Sequence, residues 1–185
     1  GKPPKNSPLL EDDEAIPVNI YGVSKLAGEE SIRRKMDSHY IVRVASLFGK
    51  SEKKGGVGNF VYSILGLGRR LDEVRVIDDI TMSPTYTVHA AKMMWKIIAE
   101  DSPFGIYHCN NEGECTWYEF TKEIYRLAGI RTRLIPISQS DFGSKAKRPE
   151  YSAMGTIRNY SKFSWKDGIQ SFIEEITNQE EYGAK

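Results

Sequence analysis

The chain predicts an α/β fold with a largely parallel sheet. Short β-branched runs alternate with longer segments whose apolar residues recur at helical spacing, and that alternation is the pattern of strands joined by crossover helices. A length of 185 residues fits one domain, or one domain and part of another.

Taken in order, the first 19 residues set Pro3, Pro4, Pro8 and Pro17 around Glu11-Asp12-Asp13-Glu14. Proline fixes its own backbone and disfavours helix in the residue before it, so this stretch reads as an extended acidic surface loop. From Ile20 to about Met36 the pattern turns helical, with Tyr21, Lys25, Leu26, Gly28, Glu29 and Ile32 at helical spacing. Residues 40–46 form a β-branched run of strand length. Residues 49–58 hold four glycines with Lys50, Lys53 and Lys54, a basic loop. A second helix starts at about Asn59, with Phe60, Ile64, Leu67 and Leu71 in line, and Gly66 and Gly68 weaken its far end.

Residues 74–77 read as another strand, and Pro84 breaks the chain before a third helix carrying Val88, Ala91, Trp95 and Ile98 on one face. Residues 104–108 are the next strand. Thr116 and Glu119 have the spacing of a capping box, followed by a stripe of Trp117, Phe120, Ile124 and Leu127 and a stop at Gly129. Residues 134–137 form a short extended piece. Residues 164–176 predict an amphipathic helix with Trp165, Ile169, Phe172 and Ile176 inward, and the polar last nine residues predict a frayed end. There is no internal repeat and no low-complexity tract.

Composition narrows the function classes. Hydrophobic residues make up 39% and charged residues 28%, and 26 Lys+Arg against 25 Asp+Glu leave a net charge of +1. That balance is ordinary for a soluble domain and gives no support to disorder or to nucleic-acid binding by bulk charge; the Lys50–Lys54 loop reads as solvated. No apolar run approaches the roughly 18–20 residues of a membrane span, and Gly-Lys-Pro-Pro-Lys at the start has no apolar core of a signal peptide. The expectation is a cytoplasmic protein with no membrane partner. Cys109 and Cys115, the only two cysteines, exclude a disulfide framework, and beside His108 they do not reproduce metal-ligand spacing. They read as reduced and packed, and no metal site is expected.

The candidate catalytic pair is Tyr21 and Lys25, four residues apart and so on one helical face. A free tyrosine titrates near pH 10, and an ammonium within about 4–6 Å favours its phenolate. Such a pair suits protonation of a carbonyl oxygen as hydride reaches the carbon, help worth about 10²–10⁴ in rate. Spacing alone is weak: Tyr118 and Lys122 repeat it within the capped helix, where the pair reads as structural.

Context is what discriminates. The segment Pro17-Val-Asn-Ile-Tyr-Gly-Val-Ser-Lys-Leu-Ala-Gly-Glu29 places small residues at Gly22, Ala27 and Gly28, which let a helix press closely on a neighbour. It resembles the active-site helix of extended short-chain dehydrogenase/reductases, specifically the dTDP-4-dehydrorhamnose reductase family. The resemblance continues through residues 41–49, Gly58-Asn-Phe-Val61, Val76-Ile-Asp-Asp79, Ser83-Pro-Thr-Tyr-Thr87, Gly105-Ile-Tyr-His108, residues 113–120 and Arg148-Pro-Glu-Tyr-Ser152, in the family's order and spacing. It spans roughly residues 8–152.

The resemblance implies an incomplete Rossmann-type parallel sheet with a small mixed α/β sugar-nucleotide-binding domain. Residues 1–58 would end the NAD(P)-binding domain. Residues 59–152 would be mainly substrate-binding, with a returning Rossmann strand and helix near 74–100, and residues 153–185 a C-terminal helix and tail. It implies NADPH (or NADH) as cofactor and reduction of dTDP-4-dehydro-β-L-rhamnose to dTDP-L-rhamnose. Tyr21 would be the proton donor, and Lys25 would hold the nicotinamide ribose and tune Tyr21. On the substrate side, Asn59 would offer its amide and helix N-terminus to a diphosphate, with plain N-capping the equal alternative. Arg148 suits bidentate phosphate recognition, with a loop-anchoring salt bridge as alternative. Thr85 and Tyr86 would shape the pocket wall, and Arg43 would be a buried structural partner.

Some members of the family pair as Mg²⁺-dependent dimers; a homodimer is therefore possible, and no ligand for Mg²⁺ is assigned on this chain. The family's upstream catalytic Thr or Ser and its GxxGxxG turn have no counterpart in the 185 residues. The sequence therefore reads as the C-terminal part of a longer enzyme, expected to bind no NADPH alone. Departures occur at Ser46, where many relatives carry Trp, and after Ser152, where Gly155-Thr156 and Arg158-Asn159 replace a leucine-rich stretch. The rival readings are another sugar-nucleotide epimerase or dehydratase of the superfamily, and a non-catalytic regulatory subunit on the same fold.

Overall fold

The computed structural model describes residues 7–50, 59–143, 148–160 and 163–183. The basic loop read at 49–58 therefore lies outside the described residues from position 51 onward. Six helices carry the framework: α1 (Ile20–Lys35), α2 (Phe60–Gly68), α3 (Thr87–Ala99), α4 (Trp117–Leu127), the short α5 (Gln139–Phe142) and α6 (Trp165–Gly183). The strands are β1 (Tyr40–Arg43), β2 (Leu47–Phe48), β3 (Glu73–Ile77), β4 (Thr81–Met82), β5 (Thr85–Tyr86), β6 (Gly105–His108), β7 (Cys115–Thr116), β8 (Arg133–Ile137) and β9 (Tyr151–Ser152).

Among the described residues, three ladders are parallel pairs: β1 with β6, β2 with β5, and β3 with β8. The fourth is a three-stranded sheet of order β7-β4-β9, antiparallel on one side and parallel on the other. The run expected as one strand over 40–46 is cut at Arg43. Ser46 takes a positive φ of 43°, unusual for a residue with a Cβ, and redirects the chain so that Leu47 and Phe48 pair with Thr85 and Tyr86 instead. The strand expected near 74 to return to the first sheet pairs with β8, Glu73 opposite Arg133 through Ile77 opposite Ile137. The partner of β1 is β6, in register from Tyr40–Gly105 to Arg43–His108. Short β-branched runs carry no information about which ladder they join, so the sequence pattern does not choose between these pairings.

Two cores follow. In the larger, α2, α4 and α6 close over β2, β3 and β5. At its centre the Phe48 ring lies 5.4 Å from Phe120, 5.7 Å from Tyr86 and 5.8 Å from Phe172. The capping box of α4 forms as its spacing predicts: the Thr116 hydroxyl accepts from Glu119 N at 3.1 Å, and the Glu119 carboxylate accepts from Thr116 N at 2.8 Å. In the smaller core, Met93 and Ile97 of α3 pack on Tyr107 and Cys109, with Tyr40 and Val42 of β1 alongside. The inward face of α3 is thus His89, Ala90, Met93 and Ile97. The face predicted from Val88, Ala91, Trp95 and Ile98 points to solvent, with Trp95 71% exposed. Both faces are apolar, so periodicity alone does not choose between them.

Both cysteines are buried and neither is in a disulfide; burial pushes the Cys115 thiol upward, reinforced by the charges of Glu119 and Glu114. Among the described residues no helix is long and apolar enough to cross a membrane, and no group of three or more His, Cys, Asp or Glu is placed to hold a metal ion.

Candidate functional site

The local sequence sets the entry to α1. The Asn19 side chain accepts from Gly22 N at 2.9 Å and caps the helix. Pro17 lies against Gly22 so closely that a Cβ there would stand 2.9 Å from Pro17 Cβ. Of the three small residues expected to form a packing face, Gly22 alone meets a neighbour: Ala27 is exposed, and nothing lies within 4 Å of a Cβ placed at Gly28.

From the first turn of the helix to the second, Tyr21 and Lys25 stand together as their spacing requires. Lys25 Nζ is 5.2 Å from the centre of the Tyr21 ring, and Tyr21 is 71% exposed. Its hydroxyl is free of the packed core, and the helix that carries it buries no residue fully. What holds α1 is Glu29, two turns on from Tyr21. The Glu29 carboxylate accepts from Arg43 Nε at 2.9 Å and Nη2 at 2.7 Å, a two-point bridge into β1. Arg43 makes a structural pairing as expected, but it is half-buried rather than buried. Lys25, Glu29 and Arg43 line an open groove of about 240 Å³ together with Leu10, Pro17 and His108.

The far wall of that groove depends on a residue that the sequence pattern assigns to a solvated loop. Glu11 is buried, and its carboxylate accepts from Thr156 Oγ1 at 2.5 Å, Ile157 N at 2.9 Å and His108 N at 3.2 Å. Burial alone would raise its pKa; the hydrogen bonds outweigh burial and hold the carboxyl below the usual range. Leu9 adds backbone bonds to Ala153 and Gly155 on the same side. An acidic run next to prolines carries no periodicity that would mark one member as buried.

A second concavity takes one of the two substrate-side candidates, Arg148, into its lining; the other, Asn59, is not part of that lining. A cleft of about 450 Å³ is lined by Phe60 and Ser63 of α2, Arg75 of β3, Trp117 of α4, Gln139 of α5, and Arg148. The Phe60 and Trp117 rings lie 4.5 Å apart, tilted by 53°. Asn59 itself is buried and spent: its Oδ1 accepts from Val61 N at 2.9 Å, and its Nδ2 donates to the Gly49 carbonyl. The side chain caps α2 and fastens it to the end of β2. A Cβ at Gly49 would stand 2.0 Å from Thr87 Oγ1, so that junction needs glycine. Arg148 N donates to Gln139 Oε1 at 3.2 Å. Arg75 is a lining residue that motif reading passes over. A signal for it exists, since alternation along β3 buries Val74 and Val76 and turns Glu73 and Arg75 outward. Two guanidinium groups beside two aromatic rings suit a phosphate attached to a planar ring. Thr85 and Tyr86, expected on the pocket wall, are core residues; Tyr86 donates to Glu175 Oε2 at 2.7 Å, and burial and that carboxylate both push its pKa upward.

Residues 1–178 match the sequence profile of the RmlD substrate binding domain. The chain belongs to that family. RmlD-type relatives share its sequence along most of its length. It is 34% identical over 172 residues to the spore coat polysaccharide biosynthesis protein SpsK of Bacillus subtilis, covering 91% of this chain and 58% of that one. A solved dTDP-4-dehydrorhamnose reductase from Clostridium acetobutylicum superposes with a TM-score of 0.83 at 35% identity, covering 92% of this chain and 60% of that one. The Bacillus anthracis dTDP-4-dehydrorhamnose reductase, solved in complex with NADP, gives a TM-score of 0.83 at 32% identity, covering 93% and 61%. The chain therefore spans about three-fifths of the length of these RmlD relatives. Their Rossmann-like α/β fold is the one the motif order implied.

Proposed function

We propose that this chain supplies the proton donor and the sugar-nucleotide site of a nicotinamide-dependent reductase that converts dTDP-4-dehydro-β-L-rhamnose to dTDP-L-rhamnose. The observation that carries the reading is the solvent-facing Tyr21 hydroxyl with Lys25 held over the same ring, on a helix bridged to β1. The family names agree with it.

The exposed phenol and ammonium on one helical face fit the ribose end of a nicotinamide dinucleotide, and no GxxGxxG pattern for its pyrophosphate occurs in the 185 residues. A nicotinamide cofactor held there by Tyr21 and Lys25 would supply the hydride for the C4 carbon. Tyr21 gives its phenolic proton to the C4 oxygen as negative charge builds on it. The Lys25 cation stabilises the charge left on the phenolic oxygen and offers N–H donors to the ribose hydroxyls. Arg148 and Arg75 take the diphosphate, and Phe60 and Trp117 flank the thymine ring. Asn59 holds the start of α2 in place for that cleft, so it positions the site through its cap.

The test is NADPH-dependent reduction of the 4-keto sugar nucleotide by the full-length protein that carries this segment, with the product identified. Tyr21→Phe lowers turnover by about 10²–10⁴ while NADPH binding persists. Arg148→Gln raises KM roughly 10- to 100-fold with kcat little changed. Unchanged turnover in Tyr21→Phe, or an epimerised or dehydrated product without net NADPH consumption, overturns the reading.

A further inference from the structure

A third concavity lies at the opposite end of the β1–β6 pair. Tyr40 and Gly105 begin the two strands side by side, next to the C-terminal end of α1, whereas Tyr21 sits in the first turn of that 16-residue helix. At 1.5 Å per residue the two ends are about 20 Å apart along the helix axis. Here the last turn of α3 and the start of β6 enclose about 220 Å³, lined by Lys96, Glu100, Ser102, Tyr107, Arg158 and Tyr160.

Arg158 is held firmly for a residue of a loop. Its guanidinium lies over the Tyr107 ring, 4.6 Å from the ring centre, and Nη2 donates to the Ile106 carbonyl at 3.3 Å. Gly105, at φ 140°, makes room for it: a Cβ there would stand 3.0 Å from Nη2. Yet Nε is buried with no acceptor, and among the described residues no carboxylate pairs with this cation. Arg34, Arg43 and Arg126 each pair with a glutamate. A guanidinium that is partly desolvated, held in one orientation and given no counter-charge is costly unless something else brings the charge.

The neighbours favour an anion. Lys96 adds a second cation, and its contact with Glu100 is a long 3.8 Å pair between exposed side chains of one helix, weak enough to be shared. With Glu100 counted, the three charged groups sum to one positive charge. The hydroxyls of Tyr107 and Tyr160 are engaged elsewhere, with the Pro103 and His108 carbonyls, so recognition falls to Arg158 and Lys96. The volume is below the roughly 300–1,000 Å³ of pockets for drug- and cofactor-sized ligands. It suits one phosphate or a small carboxylate.

We propose that this cleft is a small-oxyanion site, remote from Tyr21, with Arg158 as its principal donor and Lys96 as its second charge. Inorganic phosphate and a small dicarboxylate share the required chemistry, and separate titrations distinguish them. The experiment follows the arginine Nε–H resonances of the ¹⁵N-labelled chain during titration with sodium phosphate, and separately with malonate, each against chloride at matched ionic strength. A saturable shift of the Arg158 Nε–H and of the Tyr107 and Tyr160 ring signals is expected with at least one of the two. Arg158→Gln weakens that binding by about tenfold or more, Lys96→Gln weakens it several-fold, and Arg148→Gln leaves it unchanged. If Arg158→Gln does not fold, substitution of the half-exposed Lys96 decides the question on its own. Shifts that merely track ionic strength, or that survive in the Lys96 and Arg158 variants and vanish in Arg148→Gln, overturn the proposal.

Discussion

Asn111 is a fully buried amide from which three parts of the molecule hang. Its Oδ1 accepts from Tyr86 N at 2.9 Å, and its Nδ2 faces the carbonyls of Phe163 and Ser164 and the Nδ1 of His89. His89 is stacked on Phe163, ring centres 4.1 Å apart, and its Nδ1 lies 2.9 Å from Asn111 Nδ2. Burial lowers its pKa, helped by the Lys92 charge and opposed by Asp167. A histidine lowered on folding contributes stability fully above its unfolded pKa of about 6.5, and the contribution is lost as pH falls from there toward the folded value. Glu11, also lowered, follows the same sign in a more acidic window: its share is present above about pH 4.5 and disappears as pH falls through the folded value. Denaturant melts should therefore show stability declining in two stages, first below about pH 6.5 and again below about pH 4.5. His89→Gln should flatten the first stage only.

At the scale of elements, the helices are legible in the sequence because each has a local device. Asn19, Asn59 and Thr116 cap α1, α2 and α4 at or next to the starts that the periodicity predicts. Thr116→Ala removes the acceptor for Glu119 N and the donor to Asp78 Oδ1 at 2.6 Å; it should cost about 1–2 kcal/mol in a thermal or urea melt. The illegible parts are relational. Ser46 at positive φ diverts a run of strand-forming residues, and Glu11 is buried by contacts with Thr156 and Ile157, more than 140 positions away. The α3 helix has two apolar faces, and β1 and β6 decide which one is covered. The candidate site divides the same way. Tyr21 and Lys25 are readable because a helix turn brings them together, and Arg148 because a family motif marks it. Arg75 joins the cleft only through the β3–β8 pairing.

Across the whole molecule, apolar surface is distributed unevenly. The larger core is closed by three helices, whereas the β1–β6 side leaves Val88, Trp95 and Ile98 of α3 and Phe104 in solvent. Large apolar side chains left in solvent in this way lower solubility. Trp95→Lys together with Ile98→Lys should raise the soluble concentration of the chain and reduce binding of an apolar dye. The melting temperature should move by only a few degrees, since neither side chain is covered. A large fall in melting temperature would show that this face is covered after all.

The helix that presents Tyr21 rests on a cap, a proline contact and one ionic bridge, with no side chain fully sunk into the body. Amide protons along it should trade for deuterium through local opening long before those of α4, and a protease should nick first at Arg33 or Arg34. The helix bearing the candidate pair is thus anchored by few contacts and, like the short α5, buries none of its side chains fully. Whatever settles on Tyr21 and Lys25 would slow that exchange, so occupancy there is readable without any turnover.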